Sequence, residues 1–476
     1  MACEPGVRQI PVSTYAAPCV AAFSGDNGGA TYRGVTADEI VIVERTFPES
    51  ANSQAVDAIS EQAGAASDNV DQVVFDTFKE YFNSHFELYG RSVRWVTYES
   101  QFGNSTTEAQ SKGREEACLD ADVVANEIGA FGVIGTRGGA VSSPFAECAA
   151  QRGLVVFNGA SYFPERFFAE RHPFVWSVAM ECERIAYQVA EYLGKRLAGK
   201  PARFAGDPAL ASQTRAFGTS VPNNDGYQAC VDITERVGEE QHGYSSTSRY
   251  NYTLDVSRFP DEANRAVVQF KADGVTTVVL ASDPISVVFL TQAATSQDYY
   301  PEWFLIGTAL QDTDNMGQLY DQQQVDGHMF GMSQLGSTAK VVGPSSEPGR
   351  LYELITGEQI PDGTSGGYAG LHMVFNLLQA AGPNLTPDAI AAGARSLPPG
   401  GAPDYPFGYW SLADGPQGTP GAGDHTAVDD SREIYWTRDF VSPVTGSPGT
   451  FMETYDGRRF RNGEWPAEDP PVYPGS

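Results

Sequence analysis

Several short motifs in this sequence carry residues that could perform chemistry, and none of them forms a complete catalytic set. The segment Gly363–Gly367 has the letters G-x-S-x-G, but no apolar strand precedes it, as a nucleophile elbow requires. The segment Ser337–Lys340 matches S-x-x-K without the partner motifs of the enzymes that use it. The histidines are scattered, with no H-E-x-x-H pair: His85, His172, His242, His328, His372 and His425. The sequence therefore predicts a protein that is not an enzyme.

Metal and cofactor motifs are equally incomplete. Asp312-Thr-Asp314 begins like a calcium loop, but Met316 stands where an oxygen ligand belongs and Gln323 where the bidentate glutamate belongs. The sequence has no G-x-x-x-x-G-K-[ST] phosphate loop, and residues 135–139 do not match a dinucleotide fingerprint. We therefore expect neither a metal ion nor a cofactor.

Four loops that follow predicted strands are the candidates for ligand binding, because ligands of open parallel sheets lie outside the carboxyl ends of the strands. They are residues 46–49 with Phe47, 136–143 with Arg137, 158–163 with Tyr162, and 282–284 with Asp283. In the second loop, Gly138 and Gly139 allow the backbone to approach a ligand closely. A helix that begins near Ser143 directs free N–H groups into the same space, which suits a carboxylate or another anion. An ordinary strand-to-helix turn also needs glycines, so these residues alone leave both interpretations open.

Alternating strands and helices must position these loops. A β-branched run at residues 39–44 predicts a buried strand, and Phe78, Phe82 and Phe86, spaced four apart, predict the helix after it. Further strands are predicted at 93–98, 131–135 and 154–157, with helices at 107–127 and 144–152. This alternation indicates βαβ units around a parallel sheet.

The alternation restarts after residue 173, which indicates a second α/β unit. We predict its strands at 202–205, 229–234, 275–280 and 303–306, and its helices at 181–197, 260–272 and 285–296. A later helix at 367–381 indicates that one unit is completed late in the chain. Short strands at 432–436 and 451–455 precede a proline-rich end. The sequence thus predicts an α/β protein of two lobes.

Length and charge narrow the function classes. The chain has 476 residues, enough for two or three structural units. Its formal net charge is −29, which would repel the phosphate backbone and predicts no nucleic-acid partner. No run of 18 apolar residues is present, so the sequence predicts no membrane span.

Six cysteines form an even set without a C-x-x-C pair, which disfavours a structural zinc site. We predict three local disulfides in an oxidising compartment: Cys3–Cys19, Cys118–Cys148 and Cys182–Cys230. Six buried free thiols in a cytosolic protein are the alternative. Residues 1–3 lack the apolar region of a signal peptide, so we expect the leader to be absent from this sequence. Cys3 as a lipoprotein cysteine, which would leave Cys19 without its partner, also remains open.

Several of these segments together resemble a known family. Residues 131–135, the helix that ends at Gly153, the strand 154–157 and the segment 159–165 look like the first lobe of type I periplasmic binding proteins. That family comprises the leucine/isoleucine/valine-binding proteins of ABC importers and their relatives. Residues 259–307 continue the similarity into a second lobe, 327–331 resemble the return crossover and 368–381 the closing helix. The resemblance covers roughly residues 35–440.

The resemblance implies two Rossmann-like lobes with parallel sheets, joined by a three-crossover hinge and closing on a ligand. We expect an irregular segment at 1–34, the first part of lobe 1 at 35–180 and lobe 2 at 181–333. The return segment of lobe 1 should cover 334–405, and residues 406–476 should complete lobe 2 and form the tail. The crossovers should lie near 179–181, 332–334 and 404–409.

The resemblance also implies ligand-binding positions. The loop for the ligand carboxylate falls on Gly138, Gly139 and Ala140, beside Arg137, which could hold an anion bidentately. The remaining expected ligand-binding residues are Phe47, Ala160, Ser161, Tyr162, Phe217, Ser282, Asp283 and Ala309. Ala309 takes the place of the family's acidic partner for an amino group, and Asp283 could replace that acid.

The expected function is therefore an extracytoplasmic solute-binding protein, periplasmic or at the cell surface, with lipid anchoring left open. It would deliver a small molecule with a polar or carboxylate end and an apolar or aromatic part to a membrane ABC permease. A ligand-sensing regulatory domain of the same fold is the first alternative. An α/β hydrolase that uses Ser365 is the second.

Overall fold

A computed structural model describes residues 6–62, 64, 66–135, 142–159, 162–365, 367–401, 408–415, 419–420 and 425–473. The strands are β1 Glu39–Thr46, β2 Ser92–Glu99, β3 Gly132–Ile134, β4 Val155–Phe157, β5 Phe217–Pro222, β6 Ser246–Tyr252, β7 Thr277–Leu280, β8 Glu302–Leu305, β9 Met329–Ser333, β10 Gly400–Gly401, β11 Tyr409–Trp410, β12 Asp414–Gly415, β13 Thr419–Pro420, β14 Ser431–Val441, β15 Pro448–Glu453 and β16 Arg459–Phe460. Two sheets contain most of them, and β10–β11 and β12–β13 form two small antiparallel pairs.

Helices connect and cover these strands. They are α1 Ala51–Gln62, α2 Asp68–His85, α3 Ser105–Ala109, α4 Arg114–Asp122, α5 Ser143–Gln151, α6 Glu165–Ala169, α7 Cys182–Tyr192, α8 Pro208–Ala211, α9 Asp225–Val237, α10 Phe259–Ala272, α11 Pro284–Ser296, α12 Asp314–Leu319, α13 Gln322–Val325, α14 Thr338–Val341, α15 Glu347–Thr356, α16 Tyr368–Ala381 and α17 Pro387–Ser396. Short π-helical turns at Val123–Glu127, Leu193–Leu197 and Gly238–His242 extend α4, α7 and α9. None of the helices in the described residues is long and apolar enough to cross a membrane.

The first sheet has the order β2-β1-β3-β4, and all of its strands are parallel. The centre of β1, Ile40-Val-Ile-Val43, is buried on both faces, as a parallel strand between two layers of helices requires. The predicted helix at 107–127 is divided into α3 and α4 by a turn at Gly113, whose positive φ of 70° suits glycine. The strands of this sheet all lie within the expected first lobe, and we call this sheet with its helices the first lobe.

The second sheet runs β6-β5-β7-β8-β9 in parallel and continues through antiparallel β14, which also pairs with β15 and β16. With its helices it forms the second lobe. Two predicted strands of this lobe were wrong. Residues 229–234 lie inside α9, where Cys230, Val231, Thr234 and Val237 share one buried helical face. Residues 202–205 form a turn rather than a strand.

The chain passes between the lobes at residues 176–181, at 334–335 and at 425–430. These segments lie side by side, because Ser177 pairs with Thr426 and the Gln334 Oε1 atom accepts a 3.2 Å hydrogen bond from Met180 N. The expected crossover at 179–181 lies within the first passage, and the expected crossover at 332–334 overlaps the end of β9 and the start of the second passage. Residues 404–407 of the third expected crossover lie outside the described residues. We call the three segments together the hinge.

Among the described residues, one disulfide joins two helices in each lobe. Cys118 and Cys148 join α4 to α5 in the first lobe, with their Cα atoms 5.1 Å apart. Cys182 and Cys230 join α7 to α9 in the second lobe, with their Cα atoms 5.0 Å apart. Cys19 is also disulfide-bonded, and its expected partner Cys3 lies outside the described residues.

Candidate functional site

The carboxyl ends of β4, β7 and β8 bring loops from both lobes together. This is the edge at which open α/β sheets bind ligands. Tyr162 belongs to the loop after β4, and Ala309 belongs to the loop after β8. The Ala309 N–H donates a 2.7 Å hydrogen bond to Tyr162 Oη, which links the two lobes directly.

Tyr162 extends from its first-lobe loop and packs against the second lobe. Its ring lies against Tyr227 at the start of α9, with the ring centroids 5.5 Å apart. Burial raises the pKa of Tyr162 to about 12, so the phenol remains protonated at neutral pH. Its hydroxyl therefore accepts from Ala309 while keeping its own hydrogen to donate.

Ala309 and Leu310 have an unusual backbone conformation for residues with a Cβ atom. Their φ angles are 53° and 64°, in the left-handed region that glycine favours. Local bonds hold the turn, since Leu310 O accepts from Thr313 N at 3.3 Å and from Thr313 Oγ1 at 3.0 Å. Such strain concentrates at binding and switch sites because the surrounding structure must enforce it.

A cavity of about 200 Å³ adjoins this turn. Its walls come from both sides of the cleft: Ser60, Gly64, Pro284, Ala309, Leu310, Thr313, Asn315, Met316, Thr338, Val341, Val342 and Gly363. None of these described lining residues is charged. A mostly apolar concave site with a few polar groups at its rim is typical of small-molecule binding.

The predicted site residues Ser282 and Asp283 have structural roles in the second lobe. The buried Ser282 Oγ donates a 2.9 Å hydrogen bond to Ser220 O and joins the ends of β7 and β5. Asp283 caps α11, because its Oδ1 atom accepts from Ile285 N and Ser286 N at 3.0 Å. Its Oδ2 atom accepts from Tyr252 Oη at 2.6 Å. Both oxygens of Asp283 are thus engaged within the protein.

Two predicted aromatic residues are not part of the cavity lining. Phe217 begins β5 and is buried, with its ring edge-on to Tyr244 at 5.0 Å. It lies at the amino end of its strand, opposite the edge where Ala309 lies, so the structure does not bring it to the candidate site. Phe47 follows β1, and its ring lies 4.6 Å below the guanidinium of the buried Arg45. The predicted residues Arg137, Gly138, Gly139, Ala160 and Ser161 lie outside the described residues.

Sequence reasoning missed a group of buried polar residues between the turn at Leu310 and the hinge. Gln311 and Asp312 follow Leu310, and Gln334 lies in the hinge; all three are buried. Three of their atoms, Gln311 Oε1, Asp312 Oδ1 and Gln334 Nε2, have no hydrogen-bond partner among the described residues. Ser333 Oγ donates to Asp312 Oδ2, and burial raises the pKa of the Asp312 carboxyl. The sequence signal was the calcium-like start at Asp312, yet no cluster suited to a metal ion exists among the described residues.

Solved structures with a similar fold are binding proteins of ABC transporters. One is the leucine-, isoleucine-, valine-, threonine- and alanine-binding protein from Brucella ovis (TM-score 0.58, 14% identity, covering 90% of this chain and 98% of that one). A second is a solute-binding protein of an ABC transporter from R. palustris in complex with 4-hydroxybenzoate (TM-score 0.59, 11% identity, 90% and 99%). A third is a fatty acid ABC transporter substrate-binding protein from Thermomonospora curvata (TM-score 0.56, 14% identity, 91% and 95%).

No protein-family model and no curated protein matches the sequence. At identities this low, the structural likeness concerns the fold. The chain has the two-lobed α/β fold of type I periplasmic binding proteins, as its sequence predicted.

Proposed function

We propose that the protein is an extracytoplasmic solute-binding protein that captures a small molecule between its lobes and delivers it to an ABC importer. One observation carries this proposal. A cavity at the carboxyl edge of the second sheet is lined by both lobes, next to the direct bond between Tyr162 and Ala309. A ligand in such a cavity contacts both lobes, so its binding energy favours the closed arrangement.

The ligand in this proposal is a small molecule with an apolar or aromatic part and a polar end. The apolar lining of the cavity supports the first feature. The hydroxyl and amide side chains of Ser60, Thr313 and Asn315 in the lining support the second, because such groups can hydrogen-bond a polar end. Structural neighbours include proteins in complex with 3,4-dihydroxybenzoic acid and 4-hydroxybenzoate. The proposal includes no catalytic step, and Ser365 lies in a loop that follows no strand.

A two-part measurement tests this function. Small carboxylates, amino acids and aromatic compounds are screened by thermal shift, since a true ligand stabilises the native state by mass action. Each hit is then measured by small-angle X-ray scattering. We expect at least one hit that raises the melting temperature with concentration and lowers the radius of gyration.

Val342→Trp fills the cavity and should remove both effects. Val268→Trp is the matched control, because Val268 is exposed on α10 and lies outside the cavity lining. A saturating ligand that leaves the radius of gyration unchanged would contradict closure of the two lobes on the ligand. Equal loss of binding in the two variants would place the site elsewhere.

A further inference from the structure

We infer that the cavity beside Leu310 receives an uncharged, apolar group of the ligand, about the size of one six-membered ring, and that Leu310 determines this specificity. The inference rests on the proposed function and deepens it. It assigns a chemical class to the group that enters this cavity.

The size of the cavity supports a single ring or a short branched alkyl group. Its volume is about 200 Å³. For comparison, an apolar protein cavity of about 150 Å³ stays dry and binds benzene. The cavity therefore has room for one ring with a small substituent.

The described cavity lining offers no charged partner to an ionised group. Two acidic side chains next to lining residues are engaged elsewhere: Asp283 caps α11, and the Asp314 carboxylate accepts from Thr450 Oγ1 at 2.8 Å and from Phe451 N at 2.9 Å. Asp312 bonds Ser333 and is 1% exposed, so its carboxyl is not part of the wall. A charged group inside the cavity would lose part of its hydration and gain no counter-charge from the described lining.

Leu310 forms part of the apolar wall of the cavity. Its side chain is 53% exposed, although it lies at the end of a buried parallel sheet. Its left-handed backbone is enforced by the Thr313 bonds to its carbonyl and by the bond of the preceding Ala309 N–H to Tyr162. The fold thus holds a leucine at the cavity in a strained turn, and a ligand that covers it would remove apolar surface from water.

Two probes with the same ring test the inference on the intact protein. Benzyl alcohol is neutral and benzylammonium is cationic, and their dissociation constants are measured by NMR titration. We expect the wild type to bind benzyl alcohol at least tenfold more tightly than benzylammonium. Leu310→Asp places a carboxylate at the wall, so it should weaken benzyl alcohol at least tenfold and reverse the preference between the probes.

Leu354→Asp is the matched control, because Leu354 is 54% exposed on α15 and does not line the cavity. This variant should bind both probes as the wild type does. Equal or tighter wild-type binding of benzylammonium, no binding of benzyl alcohol, or the same loss in Leu354→Asp would overturn the inference. The scattering measurement tests closure of the lobes independently of these two probes. A failure of the predicted specificity can therefore be distinguished from a failure of the proposed function.

Discussion

The hinge and the cavity differ in their charged residues: the hinge contains buried ion pairs, and the described cavity lining contains none. The fully buried Arg184 of α7 lies between two acidic residues of the hinge: Glu181, with 3.4 Å from Arg184 Nε to Glu181 Oε1, and Asp429, which bonds Arg184 Nη1. Arg459 Nε pairs with Asp430 Oδ1 at 2.6 Å in the same region. The cavity, in contrast, has no charged residue in its described lining. Paired charges fix the crossing segments to one another, whereas the uncharged cavity selects its occupant by shape and apolarity.

The largest expected effect comes from breaking the hinge pairing. Arg184→Leu removes the cation and leaves Glu181 and Asp429 buried, which should lower the free energy of unfolding by about 3–5 kcal/mol. Urea denaturation measures the change. Arg94→Ala is the control, because Arg94 pairs with Glu39 at the surface, both side chains being 47% exposed, and should change stability by less than about 1 kcal/mol. Similar losses in the two variants would contradict the distinction between hinge and surface charges.

Removing either of the two disulfides should lower stability by a similar amount, but only one removal should weaken ligand binding. Removing Cys182–Cys230 or Cys118–Cys148 as an alanine pair should each cost about 2–5 kcal/mol, since both close loops of similar length, with sequence separations of 48 and 30. Only the Cys182–Cys230 pair contacts a residue of the candidate site, because Cys230 Sγ lies 3.2 Å from Tyr162 O. We therefore expect weaker ligand binding in calorimetry only for the Cys182/Cys230 variant. Six free thiols in the denatured, unreduced wild type would refute all three bridges.

Two titratable side chains at the hinge, Glu165 and His425, should make the stability of the protein depend on pH. Glu165 Oε1 lies 2.7 Å from His425 Nδ1, and His425 Nε2 lies 3.0 Å from His172 Nδ1. Burial, with Glu181 nearby, raises the pKa of Glu165 to about 8, and burial lowers the pKa of His425 to about 4. Between pH 4.5 and 6.5 the two groups act in opposite directions, because the folded state retains the Glu165 proton while the unfolded state gains one on His425.

Above pH 6.5 the Glu165 contribution acts alone, so stability should fall as the pH rises to 8, by at most about 2 kcal/mol. Urea midpoints at pH 6.5 and 8 measure this loss. Glu165→Gln should flatten the dependence, and Glu170→Gln, at an exposed position on the same segment, should not. A wild type that is equally stable at both pH values would contradict the assignment.

The smallest expected effect tests the link between the lobes. Tyr162→Phe removes the acceptor of the Ala309 N–H, a bond worth about 0.5–1.5 kcal/mol, and should weaken ligand binding roughly threefold to tenfold. Tyr32→Phe is the matched control, because Tyr32 Oη donates to Gly153 O at 3.1 Å within the first lobe. This control should leave ligand affinity unchanged in calorimetry, and an equal loss in both variants would show that the Tyr162 bond has no particular role in closure.

Local sequence pattern predicted the strands that contain a run of apolar, mostly β-branched residues. The runs that became β1, β4 and β7 lie in buried parallel positions, where both faces need apolar side chains. It failed at β5, because Gly218, Thr219 and Ser220 are small or polar and are buried only by their neighbours in the sheet. It also failed at residues 229–234, where the β-branched Val231 and Thr234 turned out to belong to one face of α9.

The sequence by itself determined the two-lobed α/β architecture, the local cysteine pairs in each lobe and the loops after β4 and β7, because these features follow from short-range periodicity and spacing. The tertiary structure alone decided which residues meet. Tyr162 contacts Ala309 across 147 positions of sequence, Asp283 is consumed as a helix cap, and the cavity joins Ser60, Leu310 and Val341 from three distant segments. Such contacts depend on how the two sheets pack through the hinge, and no local pattern of residues specifies that packing.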